Sequence, residues 1–436
     1  MEYLLKGDNM NITKIKMLIQ MSLDKEVIKH LLKIHKILKE DKKFNIIKYI
    51  KLLYNMQKGE KIIKFNHQYI ISTFLPPFPS DAFYTNLMAV EDKNNIFTQQ
   101  AYAKRSGPIS CYLSLTHKCP NNCVYCSAKN REDEAELTTE AWKTIIKDLQ
   151  EMKTCIIGLT GGEPLIREDI LEIVQAIDQR STAILFTSGY NLTYKKAKEL
   201  KENGLFGIGI SLDSHDKEIH NRNRKDKNAF DFALKAIKNA NRAGLYTFAQ
   251  TVILKDYIHE EAMFKLFALA KKHGAHEVKV LEPVLSGSLL DEKNLNEILY
   301  DSASRAKLIK IQHKANRRKD FPKITSFAYT ESASKFGCGA GTQHSYVSAV
   351  GDLYPCDFVP MSFGKVQNIG VKIAWKEMND TIGIPKIECF AQKINKQVYK
   401  QSQGKLPLQM KEAKELCSKH KSKRFPKYYR SLQRWF

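Results

Sequence analysis

The sequence contains no run that approaches the ~18 consecutive apolar residues of a membrane-spanning helix. Its first ten residues, MEYLLKGDNM, lack the basic-then-apolar layout of a secretory signal peptide, and no internal repeat of solenoid length is present. These absences exclude a helical membrane protein and a repeat protein. We therefore expect a cytoplasmic protein, either soluble or peripheral at the inner membrane face.

Disulfides are also not expected, although the chain holds nine cysteines. In a reducing compartment cysteines favour metal or redox chemistry over a disulfide framework. The chain has 436 residues, of which 43% are hydrophobic, so it can bury a core in roughly two or three domains of ~150 residues.

The charge is unevenly distributed along the chain. The net charge is +23, and the two ends, residues 1–65 and 405–436, supply +8 each. An anionic partner is therefore expected to meet the termini rather than the middle of the chain.

Residues 1–105 form the first predicted region. Between 11 and 59 the apolar residues recur at helical spacing with lysines between them, which predicts basic amphipathic helices, including one over 46–53. The stretch KIIKFNHQYIISTF predicts a hairpin that turns at Asn66 and His67, and the proline-rich LPPFPS closes the region.

Residues 106–290 alternate between short β-rich runs and helical stretches. Six strands are predicted, at 111–116, 155–160, 182–187, 206–212, 246–253 and 276–282, with intervening helices that include 139–152, 193–203, 228–243 and 259–273. This alternation indicates an α/β layer with parallel strands, either a barrel or a doubly wound sheet. In both architectures the chemistry lies at the C-terminal ends of the strands.

Three further segments follow. Residues 291–335 are predicted as a connecting helical region, 336–404 as a small hairpin-containing module, and 405–436 as a basic tail with aromatic residues.

Three cysteines stand together directly after the first strand. Cys119, Cys123 and Cys126 lie within eight residues, and thiolates on one loop can hold three corners of a four-iron cluster. The fourth iron then has no protein ligand, and an open metal position is a catalytic feature. A zinc knuckle is the alternative interpretation.

This Cys-x3-Cys-x2-Cys pattern, after the first strand of a six-strand β/α pattern, resembles the radical S-adenosylmethionine (radical SAM) superfamily. The resemblance implies a partial (β/α)6 barrel whose open iron binds S-adenosylmethionine and whose 5′-deoxyadenosyl radical abstracts hydrogen from a substrate. It also implies that Tyr125, just before the last cysteine, lies beside the adenine.

Other motifs agree with the family in order and location. Gly161, Gly162, Glu163 and Pro164 match the GGEP motif, whose backbone takes the methionine amino group. The resemblance also implies three further cofactor residues. Ser188 stands where the family usually has an asparagine, and Ser211 lies at the end of the fourth predicted strand, close to Asp213. Arg224 is expected to pair with the methionine carboxylate, and Arg222 is the alternative candidate for that role.

A second cysteine set lies in the C-terminal part. Cys338 and Cys356 read as Cys-x12-Gly-x4-Cys, which resembles the opening of the SPASM and Twitch extensions that hold auxiliary clusters. Only Cys389 and Cys417 follow, so we expect one auxiliary cluster rather than two, with His420 as an alternative to Cys417.

The remaining cysteines have a plainer interpretation. Cys111 and Cys155 lie in predicted buried strands, where free cysteine packs as a small apolar residue. His117 is expected to be a loop residue rather than a ligand.

The resulting expectation is a radical SAM enzyme with a catalytic [4Fe-4S] cluster, S-adenosylmethionine and one auxiliary [4Fe-4S] cluster. Its expected partners are a one-electron reductant resembling flavodoxin or ferredoxin, a peptide, lipid or other metabolite as substrate, and an anionic membrane surface. The alternatives are a membrane-surface lipid-modifying enzyme, a nucleic-acid-modifying enzyme suggested by Tyr428, Tyr429, Arg430 and Trp435, and a non-catalytic electron carrier.

Overall fold

A computed structural model describes most of the chain. The described residues are 12–39, 41, 45, 57, 59–72, 74–92, 95–129 and 134–434. The helix predicted over 46–53 and residue Trp435 lie outside the described residues.

The six predicted strands of the central region are confirmed, and they form the middle of one parallel sheet. They are β3 (Ser110–Ser114), β4 (Ile156–Thr160), β5 (Thr182–Thr187), β6 (Gly207–Ser211), β7 (Tyr246–Val252) and β8 (Glu277–Leu281). Each pairs in parallel with the next, and their residues are almost wholly buried, as expected for a sheet covered on both faces.

Helices connect these strands and pack their apolar faces on the sheet. They are α5 (Thr139–Glu151), α6 (Ile170–Gln175), α7 (Tyr194–Glu202), α8 (Lys217–Arg224), α9 (Ala229–Arg242) and α10 (Glu260–Lys272). Thr138 and Thr193 cap α5 and α7 by accepting a hydrogen bond from the backbone three residues on, which fixes where each helix begins. The four predicted helical stretches are therefore confirmed to within about two residues.

The sheet is longer at both edges than the sequence pattern predicts. The segment 291–335 contains α11 (Leu295–Ile298), α12 (Ser302–Asn316), α13 (Phe327–Thr330) and also β9 (Lys323–Ser326), which pairs in parallel with β8. At the other edge β10 (His344–Val347) pairs in parallel with β3, and β11 (Leu353–Tyr354) completes a hairpin with β10. The fold is thus an α/β partial barrel extended by strands from the C-terminal part.

The N-terminal region begins with α1 (Ile12–Leu23) and α2 (Lys25–Leu38), followed by a hairpin of β1 (Ile63–Phe65) and β2 (Gln68–Ile70). The predicted turn at Asn66 and His67 is confirmed, with Asn66 at φ 53°. The hairpin lies against the N-terminal ends of the barrel strands, where Phe65 contacts Tyr246 at a ring distance of 5.4 Å. Short helices α3 (Asp81–Leu87) and α4 (Ile96–Ala101) lead into β3.

The amphipathic character of α1 and α2 is only partly used for packing. Val27, Ile34 and Leu38 are buried among the N-terminal aromatic residues. Leu23 and Leu32, in contrast, are 72% and 65% exposed. These two helices therefore carry apolar residues on the surface between their lysines.

The C-terminal part is helical and ends against the rest of the protein. Its helices are α14 (Val366–Ile369), α15 (Val371–Ile382), α16 (Phe390–Ser402), α17 (Met410–Lys419) and α18 (Lys427–Gln433). In α18 Tyr429 and Leu432 are buried, and the Gln433 side chain donates to the Ala101 carbonyl at 3.1 Å. The basic tail is therefore part of the fold, because its aromatic residues supply core contacts.

Among the described helices, none combines the length and the apolar composition that crossing a bilayer requires.

Candidate active site

The three-cysteine loop follows β3 at the C-terminal edge of the sheet. Neighbouring loops hold it through its backbone: the Val124 N–H donates to the Asn223 carbonyl at 3.0 Å, and the Cys126 carbonyl accepts from the Ser288 N–H at 2.9 Å. The Cys119 thiol is exposed and those of Cys123 and Cys126 are half-buried. Three thiols on one anchored, accessible loop fit the donor set of an iron–sulfur cluster.

The paired glycines after β4 have a packing reason to be glycine. The Gly162 N–H donates to the Thr116 carbonyl at 2.6 Å, and the Glu163 N–H donates to the Lys118 carbonyl at 2.8 Å. A side chain on Gly162 would overlap the Lys118 carbonyl oxygen. The GGEP loop thus supports the backbone that leads directly into Cys119.

Glu163 ties the ends of two strands together from a fully buried position. Its carboxylate accepts hydrogen bonds from the Thr187 hydroxyl at 2.7 Å, the Ser188 hydroxyl at 2.6 Å, the Ser188 N–H at 2.8 Å and the Leu165 N–H at 3.1 Å. Burial raises the pKa of Glu163 above its ordinary value, and these hydrogen bonds oppose that rise. The Ser188 hydroxyl is therefore bonded to Glu163, and the ribose contact that the resemblance implies for Ser188 stays a prediction.

A second buried network joins the cysteine loop to β6 and α8. Arg224 donates to both carboxylate oxygens of Asp213, at 2.8 and 2.9 Å, and the Tyr125 hydroxyl donates to the same carboxylate. The remaining terminal nitrogen of Arg224 lies 3.7 Å from the Cys123 sulfur. Burial raises the pKa of the Cys123 thiol, and the nearby guanidinium lowers it.

The two arginines considered as partners of the methionine carboxylate lie in different surroundings. Arg224 is buried beside Cys123, whereas Arg222 is exposed and donates to the Tyr257 hydroxyl at 2.9 Å. Asp213, to which the sequence pattern gave no role, is the group that fixes Arg224. An acidic residue at a strand end near a buried arginine is the signal that could have indicated it.

Three of the four C-terminal cysteines come together. Cys338, Cys356 and Cys389 line one cavity, and a hydrogen bond from the Cys389 thiol lowers the pKa of Cys338. Beside them, donor atoms of His344, Cys356 and Asp357 lie within 4.8 Å of one another. The region thus offers sulfur, nitrogen and oxygen ligands around a shared space.

Cys417 is placed differently. It lies in α17, buried in the hydrophobic core, and is not among the described residues that line the cavity. Burial raises the pKa of its thiol to about 12, and the Lys386 ammonium nearby opposes that rise. His420, the alternative ligand, contacts the Gln397 side chain at 3.1 Å. Ligation of the auxiliary cluster by Cys417 therefore stays a prediction, and the position of Cys417 away from the cavity lining does not favour it.

The cavity has a volume of about 1250 Å³ and joins the barrel interior to the C-terminal part. Tyr112, Thr160, Phe186, Gln250 and Lys279 face it from five of the six barrel strands. Its volume exceeds the ~300–1,000 Å³ of ordinary small-molecule sites. It can therefore hold a substrate between the barrel and the second cysteine set.

The remaining cysteines, His117 and Ser211 lie in the following surroundings. Cys111 lies in β3 and Cys155 lies directly before β4. Both are fully buried, and burial raises the pKa of each thiol to about 12. The His117 N–H donates to the Glu136 carboxylate at 2.7 Å through its backbone, in the loop before Cys119. The Ser211 side chain is half-buried at the end of β6.

Comparison with known proteins agrees with the site. Residues 113–267 match the model of the radical SAM superfamily. The chain is similar to an AdoMet-dependent heme synthase of Methanosarcina barkeri, with 29% identity over 294 residues, 63% of this chain and 84% of that protein. It is also similar to the mycofactocin maturase of Mycolicibacterium smegmatis, with 27% identity over 58% of this chain and 64% of the maturase, slightly less than two thirds of its length.

Among solved structures, the fold resembles that of anSMEcpe, determined with bound AdoMet and a Cp18Cys peptide. The TM-score is 0.51 at 18% identity, over 75% of this chain and 95% of that one. At this identity the likeness shows a shared fold.

Proposed function

We propose that this chain, which belongs to the radical SAM superfamily, abstracts a hydrogen atom from a substrate bound in the 1250 Å³ cavity. It is an enzyme whose cofactors are a [4Fe-4S] cluster and S-adenosylmethionine, and SPASM-type relatives carry auxiliary clusters. The observation that carries the proposal is the position of the cavity, which reaches from the barrel interior to a second set of cysteines.

The proposed division of roles follows from the contacts above. Cys119, Cys123 and Cys126 hold the catalytic cluster, which when bound supplies the electron that cleaves S-adenosylmethionine. The GGEP loop fixes the backbone before Cys119, and Asp213 orients Arg224 beside Cys123. Tyr125 closes this network from the cysteine loop.

For the cofactor site itself, we propose that Gly161, Gly162, Glu163 and Pro164 meet the methionine end, and that Ser188 and Ser211 lie towards the ribose. Nε and one terminal nitrogen of Arg224 bind Asp213, and the other terminal nitrogen donates to the Cys123 sulfur at 3.7 Å. That nitrogen carries two N–H groups, so it can also donate to the methionine carboxylate. A charge-assisted hydrogen bond from that nitrogen is favourable in a buried site.

The auxiliary site would be held by Cys338, Cys356 and Cys389. Cys417 and the pair of His344 and Asp357 compete for the fourth position, and the donor atoms of the latter pair lie near Cys356. A cluster on the cavity wall would accept an electron from the substrate during oxidation or bond formation. A reductant resembling flavodoxin or ferredoxin is required for the catalytic cluster.

The substrate is proposed to be a peptide segment or a compact metabolite. The heme synthase and the peptide-bound anSMEcpe structure, both similar to this chain, support these two classes. The test is anaerobic turnover of the reconstituted, reduced protein with deuterated peptides and deuterated porphyrins. Deuterium in the released 5′-deoxyadenosine would identify the substrate class. Release of 5′-deoxyadenosine by the Cys119→Ala, Cys123→Ala, Cys126→Ala variant would contradict the proposed function.

We also propose that α1 and α2 dock the enzyme on an anionic membrane surface. Leu23 and Leu32 are exposed on helices rich in lysine, and such faces bind anionic lipid through both apolar and electrostatic contacts. Tyr429 is buried and Tyr428 is partly buried, so the tail offers little aromatic surface to a nucleic acid. If the substrate is a lipid, docking of α1 and α2 on the membrane would bring the enzyme to it.

A further inference from the structure

Lys279 is a charged residue in the middle of a buried barrel strand. It lies on β8, beside Gln250 of β7, which in turn pairs with Ser211 of β6. Its side chain faces the cavity, and the residue is only 3% exposed. The ammonium lies 4.0 Å from the centre of the Phe248 ring, so a cation–π contact holds it against the barrel wall.

The other buried charges of this part of the barrel have partners. Lys323 forms an ion pair with Glu60 at 2.8 Å. Glu277 accepts hydrogen bonds from the Tyr246 hydroxyl at 2.8 Å and the Thr325 hydroxyl at 2.6 Å. The Lys279 ammonium makes no hydrogen bond or ion pair with any residue that the structure describes. An unpaired buried charge is costly, and it points to a partner that arrives from outside the chain.

The electrostatic surroundings favour an anionic partner. Among the described residues, eight lysines and arginines line the cavity, against four aspartates and glutamates. Burial lowers the pKa of Lys279 to about 8, with Glu277 opposing and Lys323 reinforcing the shift. Glu331, one of the four acids, has its pKa raised well above its ordinary value by burial, which favours its neutral form. A negative ligand group would stabilise the charged form of Lys279.

We propose that Lys279 is the binding site for a carboxylate of the substrate, an inference that rests on the proposed function of the cavity. The carboxylate accepts hydrogen bonds from the ammonium, and the Gln250 side chain of the neighbouring strand can donate a second. This anchors the substrate on the barrel wall, while its remainder extends towards Cys338, Cys356 and Cys389. The carboxylate belongs either to an acidic peptide side chain or to a small carboxylic acid.

Binding measurements without turnover test this directly. Full-length, cluster-reconstituted protein with saturating S-adenosylmethionine and no reductant is titrated by calorimetry with two matched pairs. One pair is benzoate and benzamide. The other is acetylated, amidated glutamate and its glutamine counterpart. At least one acid should bind about tenfold more tightly than its amide, because only the acid forms a charge-assisted pair. The pair that discriminates identifies the source of the carboxylate.

Variants assign the effect to Lys279. In Lys279→Met the acid-to-amide ratio should fall to within about twofold, whereas Lys279→Arg should keep most of it. Equal affinities for acid and amide in the unmodified protein would overturn the inference, and that comparison needs no variant. A ratio that survives in Lys279→Met would also overturn it.

S-Adenosylmethionine also carries a carboxylate, so it is the alternative ligand for Lys279. Its affinity should be unchanged in Lys279→Met, and a loss of about tenfold or more would assign Lys279 to the cofactor and refute the inference. Because no step requires cleavage of S-adenosylmethionine, failure here is distinct from failure of the proposed function, which is judged by 5′-deoxyadenosine release.

Discussion

Arg224 and Asp213 form a two-point ion pair in which the arginine Nε and one terminal nitrogen each bind one carboxylate oxygen, at 2.8 and 2.9 Å. The pair is buried and is shared with the Tyr125 hydroxyl. The other terminal nitrogen donates to the Cys123 sulfur at 3.7 Å and carries a second N–H group. The ion pair thereby fixes both the direction and the number of donors that Arg224 can offer to a cofactor.

The first prediction concerns the terminal nitrogen of Arg224 that does not bind Asp213. Arg224→Ala should weaken S-adenosylmethionine binding by about 1.5–3 kcal/mol, the usual contribution of a hydrogen bond to a charged group. Equilibrium binding to the reconstituted protein measures it. Arg222→Ala is the matched control, because Arg222 is exposed and contacts Tyr257. If the control loses affinity and Arg224→Ala does not, the assignment of the two arginines must be reversed.

The second prediction concerns the support of the cysteine loop. Gly162→Ala places a methyl group against the Lys118 carbonyl and should displace the backbone before Cys119. We expect a loss of most of the iron held by the barrel cysteines, measured as iron content after anaerobic reconstitution. Gly404→Ala is the control, since it has a positive φ of 81° but open space around it. Full iron loading in Gly162→Ala would show that the loop can move at little cost.

The third prediction is a pH dependence of stability that arises from His220. Burial lowers its pKa to about 4, and its Nδ1 accepts a hydrogen bond from the Asp213 N–H at 3.0 Å. The folded state therefore holds the neutral ring. The stability associated with that ring is fully present above the unfolded pKa of about 6.5 and is lost as the pH falls towards 4.

Between about pH 6.5 and pH 5 this effect should lower the free energy of unfolding by about 1.6 kcal/mol, since the slope rises to ~1.4 kcal/mol for each pH unit only below the unfolded pKa. Denaturant titrations at several pH values measure the slope. His220→Asn keeps an acceptor for the Asp213 N–H but cannot be protonated, so its slope should be smaller. An unchanged slope would mean that other groups control the acid sensitivity.

The fourth prediction distinguishes the ligands of the auxiliary site. In the variant without the three barrel cysteines, about four irons should remain per chain, the content of one four-iron cluster. Adding Cys389→Ala should remove them, because Cys389 lines the cavity with Cys338 and Cys356. Adding Cys417→Ala should not, because Cys417 is packed in the core. The opposite result for the two substitutions would restore Cys417 as the fourth ligand.

The fifth prediction concerns the exposed leucines of α1 and α2. The double variant Leu23→Gln, Leu32→Gln should weaken binding to anionic liposomes at low salt by about tenfold or more, because two apolar side chains no longer enter the interface. Co-sedimentation measures it, with S-adenosylmethionine cleavage unaffected. Ile373→Gln is the control, an equally apolar change at a side chain that is 57% exposed elsewhere. Failure of the unmodified protein to bind such liposomes would refute the docking proposal.

The sequence by itself determined the features that depend on local spacing. The three cysteines and the GGEP motif follow predicted strands, and parallel strands bring their C-terminal ends to one edge, so the catalytic edge could be predicted. The six strands and the intervening helices follow from hydrophobic periodicity, which is a property of neighbouring residues. The pairing of Cys338 with Cys356 was implied by the resemblance of their Cys-x12-Gly-x4-Cys pattern to the opening of the SPASM and Twitch extensions.

Only the tertiary structure decided what depends on contacts between distant segments. Strand β9 and strand β10 extend the sheet, although their short runs give little periodicity. The tail packs against the rest of the protein because Tyr429 and Leu432 are buried, a contact that the basic composition of the tail does not indicate. Asp213 forms an ion pair with Arg224, whereas Lys279 forms none with the residues that the structure describes, because the fold alone sets which buried charges face one another. Pairing energies in the interior depend on distances of a few ångströms, and the order of residues along the chain does not specify them.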